Sequence, residues 1–389
     1  MADRSFPLAP VEPHLVIIEN YGPDRLRSMA IYADLLARAG AAQRWRVTRW
    51  HPPVVWGGRG DAHRGLGKWL GYADKYLLAP WGLWRVVQRQ PNAIYHLADQ
   101  GHAPWLRVLP AARTAVTVHD VIAIRRARGE FPDHPVGRYA RWQQGDIVAG
   151  LKRARTVVCD SKLTRNDLAR VVNRSAVNVA PVAHLPVGQR LAPLDEAGVE
   201  TELTALGLPA GKPFLLHHGG NAFYKNRALV WDLFAALAAD FPQLQLVFSG
   251  AAAAPEIQAR VEAEGLVDRV HHCTNVSPVA LSALYRGALT LVFPSWVEGY
   301  GWPPLEAASV GGMVVASPVG VLPEVFGDVG LPWVPPDDLP GWITCCRQLL
   351  LDPEVRRRWR TQIAQTPLPT EARFVAQMGD IWRQLLPRG

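Results

Sequence analysis

Strand and helix signals alternate along the whole chain and predict an α/β protein with two doubly wound parallel sheets. Three observations carry that expectation. Short, wholly apolar runs recur between amphipathic stretches, the mark of buried parallel strands between crossover helices. The 389-residue length exceeds one typical domain, and 49% of the residues are hydrophobic, enough for two sizeable cores. Charge is uneven, with 28 Lys and Arg against 14 Asp and Glu up to Arg190, then 14 against 20 beyond it. A net +14 followed by a net −6 marks two different domains.

The first domain is expected over residues 1–190. Its first strand is His14-Leu15-Val16-Ile17-Ile18, its first turn Asn20-Tyr21-Gly22-Pro23, and Asp24 is the expected cap of a helix through Ala39. Further strands are expected at 93–97, 115–119, 156–159 and 177–182, with Ser161 capping the helix after Cys159. A polar, Pro-bearing stretch at 191–197 reads as the interdomain linker. The second domain, 191–365, is expected to hold strands at 213–217, 244–249, 270–273, 289–293 and 313–316. Residues 366–389 carry Phe374, Met378, Ile381, Trp382 and Leu385 at helical spacing and predict a final helix.

The richest segment is 293–307. Leu289-Thr290-Leu291-Val292-Phe293 reads as a buried strand, and Pro303-Pro304 opens a helix, where the missing N–H groups have no intrahelical partner to lose. Glu298 therefore falls in a Gly-rich loop at the carboxyl end of a strand, where open α/β sheets bind ligands, and Glu306 about one turn into the next helix. Gly299 and Gly301 permit close backbone approach to a ligand. A carboxylate accepts from two vicinal hydroxyls, so Glu306 suits a ribose, and Glu298 a sugar hydroxyl or a neighbouring cation. Upstream, residues 215–227 read as strand, Gly-rich turn and helix start. Lys225 beside a helix N-terminus offers a point charge and oriented N–H donors suited to a diphosphate.

Residues 293–307, continuing through 307–318 and Leu322-Pro323-Glu324-Val325, resemble the donor-site signature of the family 4 retaining glycosyltransferases. The resemblance implies the GT-B fold, two facing Rossmann-like domains with a cleft between them. It also implies donor contacts from Gly22, Gly220, Asn221, Lys225, Glu298, Gly299, the N–H groups of Tyr300 and Gly301, and Glu306. His119, ending the strand Val116-Thr117-Val118, matches a family histidine near the donor sugar, with Asp120 placed to fix its tautomer. Asp99 and His102 read as acceptor-side residues, as do Arg25, Arg27 and Ser28. The catalytic set implied is His119, Lys225 and Glu298. Many relatives carry an arginine a few residues before the lysine; here the stretch is Gly219-Gly220-Asn221, which leaves Asn221 with backbone N–H groups, or Arg227, to take its place. In GT-B enzymes the C-terminal helix often crosses back to the first domain.

The reaction implied is transfer of a hexose, mannose by overall resemblance, from a nucleotide diphosphate sugar to a saccharide or lipid-linked saccharide of surface polysaccharide assembly. Retention can follow a covalent double displacement or front-face attack; the resemblance favours the second, and no nucleophile is evident. No metal or other cofactor is expected: His96, Asp99 and His102 form no closed ligand set, and there is no Asp-x-Asp pair to hold a diphosphate through a cation. A nucleotide-sugar epimerase, another GT-B enzyme and a non-catalytic sugar-nucleotide-binding protein remain as alternatives.

A basic first half suits nucleic acid, anionic lipid or a phosphorylated acceptor. Nucleic acid is disfavoured by the lack of zinc-finger spacing or RNA-binding aromatic motifs. Residues 67–85 mix Trp, Leu and basic residues as interfacial segments do, although Trp also fills cores, and this chain has 15. No window approaches the roughly 18 to 20 apolar residues of a membrane span, and Met1–Pro7 lacks the apolar core of a secretory signal. A cytoplasmic protein is expected, with contact at the inner face of an anionic membrane left open. Cys159, Cys273, Cys345 and Cys346 show no metal spacing and are expected to be reduced packing residues.

Overall fold

The computed structural model describes residues 12–58, 65–172, 178–179, 182–187, 191–327 and 331–387. The chain divides into two compact units. One runs to His184 and takes in the final stretch from Glu371; the other is Leu185–Thr370. The division thus falls ahead of 191–197, and that stretch leads into the helix Glu196–Ala205, which Asp195 caps through Gly198 N.

The first unit holds six strands, β1 (His14–Ile18), β2 (Arg46–Trp50), β3 (Ile94–Leu97), β4 (Thr114–Val118), β5 (Thr156–Cys159) and β6 (Asn178–Val179), in the order β2-β1-β3-β4-β5-β6. The second holds β7 (Phe214–Gly219), β8 (Gln245–Gly250), β9 (Val270–Thr274), β10 (Thr290–Phe293) and β11 (Val314–Ala316), in the order β11-β10-β7-β8-β9. All pairings are parallel. Each sheet reverses its order once, between β1 and β3 and between β7 and β10, and an open α/β sheet binds ligands outside the carboxyl ends of the strands at such a reversal. The apolar runs are the inner strands: Leu15, Val16, Ile17, Leu215, Leu216, Leu291, Val292 and Phe293 are wholly buried.

Several local expectations are corrected. β2 went unread, because Arg46-Val47-Thr48-Arg49-Trp50 is an edge strand whose arginines face outward, Arg49 bonding Glu19 and Asp34. Asp24 is not a helix cap. It sits in a 3₁₀ turn, Gly22–Asp24, and its carboxylate takes the Lys75 ammonium at 2.6 and 2.7 Å, while the helix Arg27–Ala42 starts without a side-chain cap. Of the strand expected at 177–182, Asn178 and Val179 are strand and 177, 180 and 181 lie outside the described residues. Ser161 does cap its helix, accepting from Thr164 N at 3.0 Å. All four cysteines are free and buried.

The final helix, Glu371–Arg383, packs into the first unit against Arg27–Ala42, burying Phe374, Met378 and Trp382. It is also wired in by a buried polar chain. Trp382 Nε1 donates to His96 Nδ1 (2.9 Å), His96 Nε2 donates to Thr117 Oγ1 (2.7 Å), and Thr117 meets the Tyr32 hydroxyl (2.7 Å). Burial, then the charge of His119, pushes His96 down to about 3, so it is neutral and can receive at one nitrogen and donate at the other.

Candidate active site

In the second unit, two loops meet at the reversal between β7 and β10. The loop after β7 ends in a 3₁₀ turn, Phe223–Lys225, and Asn226 takes a left-handed conformation before the helix Arg227–Ala238. The loop after β10 carries Glu298. Trp296 N donates to Tyr224 O at 2.9 Å, and Lys225 Nζ donates to Glu298 Oε1 at 2.7 Å, so residues 73 positions apart form one ion pair. Both are largely buried, and the ammonium also lies 5.3 Å from the Phe293 ring centre. A cation held in so little water keeps most of its field.

Glu306 lies one turn into the helix Trp302–Ser309, as its spacing predicts, and its Oε2 accepts from the Tyr285 hydroxyl at 3.0 Å. Burial, then the charge of Glu306, holds the Tyr285 phenol well above its ordinary range, so it stays a donor that fixes the carboxylate. Gly301 has φ +95°, the conformation the helix start demands. The Tyr300 side chain is buried and its hydroxyl donates to Leu185 O at 2.6 Å.

Gly220 is open on its Cβ side. Asn221 and Arg227 point away from the role of a phosphate ligand. Asn221 Nδ2 donates to Ala252 O (2.9 Å), and the Arg227 guanidinium donates to Ala251 O (2.9 Å), Ala252 O (3.0 Å) and Asn221 Oδ1. They clamp the loop after β7 to the loop after β8. Burial lowers Arg227 to about 10. Lys225 is left as the cation of this loop.

In the first unit, His119 follows β4 and is buried. Its Nδ1 meets Asp160 Oδ2 at 3.2 Å and its Nε2 meets Ala98 O at 2.9 Å. Burial alone would lower it. The bond and charge of Asp160, then Asp99 and the Ala98 carbonyl, outweigh burial and raise it to about 8. Two acceptors on two ring nitrogens make it an imidazolium. The expectation for Asp120 is corrected: its Oδ1 accepts from Ile122 N at 2.9 Å, and Asp160 holds the histidine.

Asp99 and His102 do come together, lining a cavity of about 170 Å³ with Asn20, Asp24, Lys75 and Trp105. Asp99 accepts from Asn20 Nδ2 (2.5 Å) across the reversal between β1 and β3, and from Gly101 N (2.8 Å) in its own loop. Burial, outweighing the charge of Asp99, lowers His102 to about 4. Gly22, Arg25, Arg27 and Ser28 are exposed in the loop after β1 and the helix start, outside that lining. A larger cavity, about 890 Å³, opens at the opposite ends of β7, β8 and β10, beside Phe214, Gln245 and Leu289, away from Lys225.

Three residues of consequence were not read from the sequence: Asp160, Tyr285 and Gly320. Gly320 has φ +60°, and a Cβ there would lie 2.4 Å from Tyr300 O and 3.2 Å from the Glu298 Cβ. Only glycine lets the loop after β11 close beneath Glu298. Among the described residues, no three His, Cys, Asp or Glu side chains group as metal ligands, and no helix is long and apolar enough to cross a membrane.

With this geometry in hand, residues 199–366, almost the whole second unit, match the family described as Glycosyl transferases group 1. The second unit thus carries the match to a glycosyltransferase family. The chain is 25% identical over 291 residues to an O-antigen chain mannosyltransferase of Salmonella typhimurium, covering 75% of this chain and 74% of the relative. Among solved structures, a sucrose-phosphate synthase from Thermosynechococcus elongatus aligns at TM-score 0.71 and 20% identity, over 96% of this chain and 99% of that one. Anabaena HepE, solved with UDP and glucose, aligns at TM-score 0.68 and 15% identity, over 95% and 99%. These likenesses give the glycosyltransferase the GT-B fold, two Rossmann-like domains, as its paired parallel sheets require.

Proposed function

We propose that this glycosyltransferase moves mannose from a nucleoside diphosphate sugar to a hydroxyl of a lipid-linked saccharide, with retention and without a divalent metal. The observation that carries the reading is the Lys225–Glu298 ion pair at the carboxyl ends of β7 and β10, in the same unit as the Tyr285-braced Glu306. As the donor bond breaks, negative charge grows on the leaving diphosphate. A largely buried ammonium, preorganised by Glu298, offsets that charge, and the helix starting at Arg227 adds its N-terminal dipole. Glu306 accepts from the ribose hydroxyls, and the loop at 298–301 grips the sugar. In the front-face route the leaving phosphate oxygen accepts the acceptor proton, so no protein nucleophile is needed.

Mannose is supported by the O-antigen chain mannosyltransferase relative. The test is incubation with GDP-mannose or UDP-glucose and a polyprenyl-linked saccharide, with the product's anomeric configuration read by NMR. An α-linked mannoside from an α-configured donor is expected. An inverted product, or epimerisation of the donor without any acceptor, refutes the reading.

A further inference from the structure

The geometry points to a membrane-docking face on the first unit, formed by the helices Gly65–Ala73 and Ala79–Arg89 and fitting an anionic lipid surface. Leu66, Trp69, Leu77, Trp81 and Trp84 are each 50–74% exposed. Between the two helices, Asp74–Leu78 forms a π turn. A π turn takes one residue more than an α turn, and the sequence spacing shows the effect. The buried positions Gly67, Gly71, Asp74, Ala79 and Leu83 step by 4, 3, 5 and 4, and the exposed apolar ones by 3, 8, 4 and 3. In an unbroken α-helix a step of 8 rotates the side chain well off its row; the extra residue restores Leu77 to the row of Trp69. The result is one apolar stripe along both helices.

The inner side is pinned. Asp74 accepts from the Tyr21 hydroxyl at 2.6 Å and from the N–H groups of Val55, Trp56 and Gly57. A third helix, Arg138–Leu151, widens the stripe: Tyr139 lies 5.3 Å from Trp69 and 5.5 Å from the exposed Trp142.

Charge selects the occupant. Lys68, Arg85, Arg89, Arg138 and Arg141 stand on these helices, Arg85 stacked on Trp81 at 4.7 Å. The carboxylates there are withdrawn, Asp74 by burial and Asp146 by its bond to Arg107. Exposed Trp with basic flanks and no free acid matches the boundary between headgroups and acyl chains, where an amphipathic ring meets both media. Such a face lies on a membrane and does not span it.

The full chain is to be sedimented at low salt with phosphatidylcholine vesicles, with or without phosphatidylglycerol, beside the variant Trp69→Ser/Trp81→Ser/Trp84→Ser. Binding only to the anionic vesicles, weakened by raised salt and at least ~10-fold by the substitutions, is expected. These side chains are exposed, so circular dichroism should be unchanged. No sedimentation of the wild type overturns the proposal, as does equal binding by the variant. A wild-type dimer that the substitutions dissolve, without vesicle binding, assigns the stripe to a second copy and also overturns it. Neither donor nor acceptor enters the assay, so its failure leaves the transfer reading standing.

Discussion

The buried pair His119–Asp160 should make the stability of the protein fall as the medium turns alkaline. His119 titrates at about 8 in the folded chain against an ordinary 6.5. A group whose folded value is raised contributes fully below its unfolded value and loses that contribution as pH climbs through the folded one. The window is therefore about pH 6.5 to 8, and the gap corresponds to about 2 kcal/mol. Asp160→Asn removes the charge and the bond that hold the imidazolium, while burial, which lowers the histidine, remains. Urea unfolding from pH 5.5 to 9 should show the wild type losing about 2 kcal/mol across the window and the variant losing little. Any constant difference between the two reflects packing and the orphaned partner; only the part that changes with pH reports the pair. The imidazole resonance of His119 should titrate near 8 in the wild type and below 6.5 in the variant. A histidine that titrates at or below 6.5 in the wild type, with parallel stability curves, refutes the ion pair.

Three further perturbations probe the donor side. Lys225→Ala should lower turnover about 10²–10³-fold, the usual loss for one preorganised charge-stabilising group, with the urea transition still cooperative; activity within a few-fold of wild type removes Lys225 from the phosphate role. Gly320→Ala should cost about 1–3 kcal/mol of stability, because the left-handed backbone and the contact with Tyr300 O both resist a Cβ; an unchanged midpoint denies the close approach. EDTA should leave turnover intact, and a loss that magnesium restores contradicts metal-free departure of the diphosphate.

The donor loops were legible because their signals are local. Strand, Gly-rich turn and helix start follow one another within about fifteen residues at both 215–227 and 293–307, and that order places Lys225 and Glu298 in loops after strands and Glu306 in the following helix before any tertiary contact is known. Their meeting was half legible. Glu298 was read as suited to a cation, but β7 and β10 being neighbours is a matter of sheet order, which periodicity does not encode. The partner of His119 failed for the same reason. Asp120 is next in sequence, whereas the register pairs Val118 with Cys159 and so brings residues 119 and 160 side by side. Edge strand β2 lacked the apolar run that marks an inner strand. Asp24 has the residue type of a cap, yet the ammonium of Lys75, 51 positions away, claims it. The interfacial composition of 67–85 was visible in the sequence. Its alignment into a single stripe was not, because that depends on a π turn no propensity reports.

The most direct test of the donor site is the affinity of the protein for a free nucleoside diphosphate, GDP and UDP in turn, measured by titration calorimetry on the wild type, Glu306→Ala and Lys225→Ala. Loss of at least ~10-fold in each variant is predicted, since each removes a charged group that the proposed site would offer to the ligand. Affinity unchanged in both folded variants would contradict the account, because the nucleotide would then be bound somewhere other than the carboxyl ends of β7 and β10.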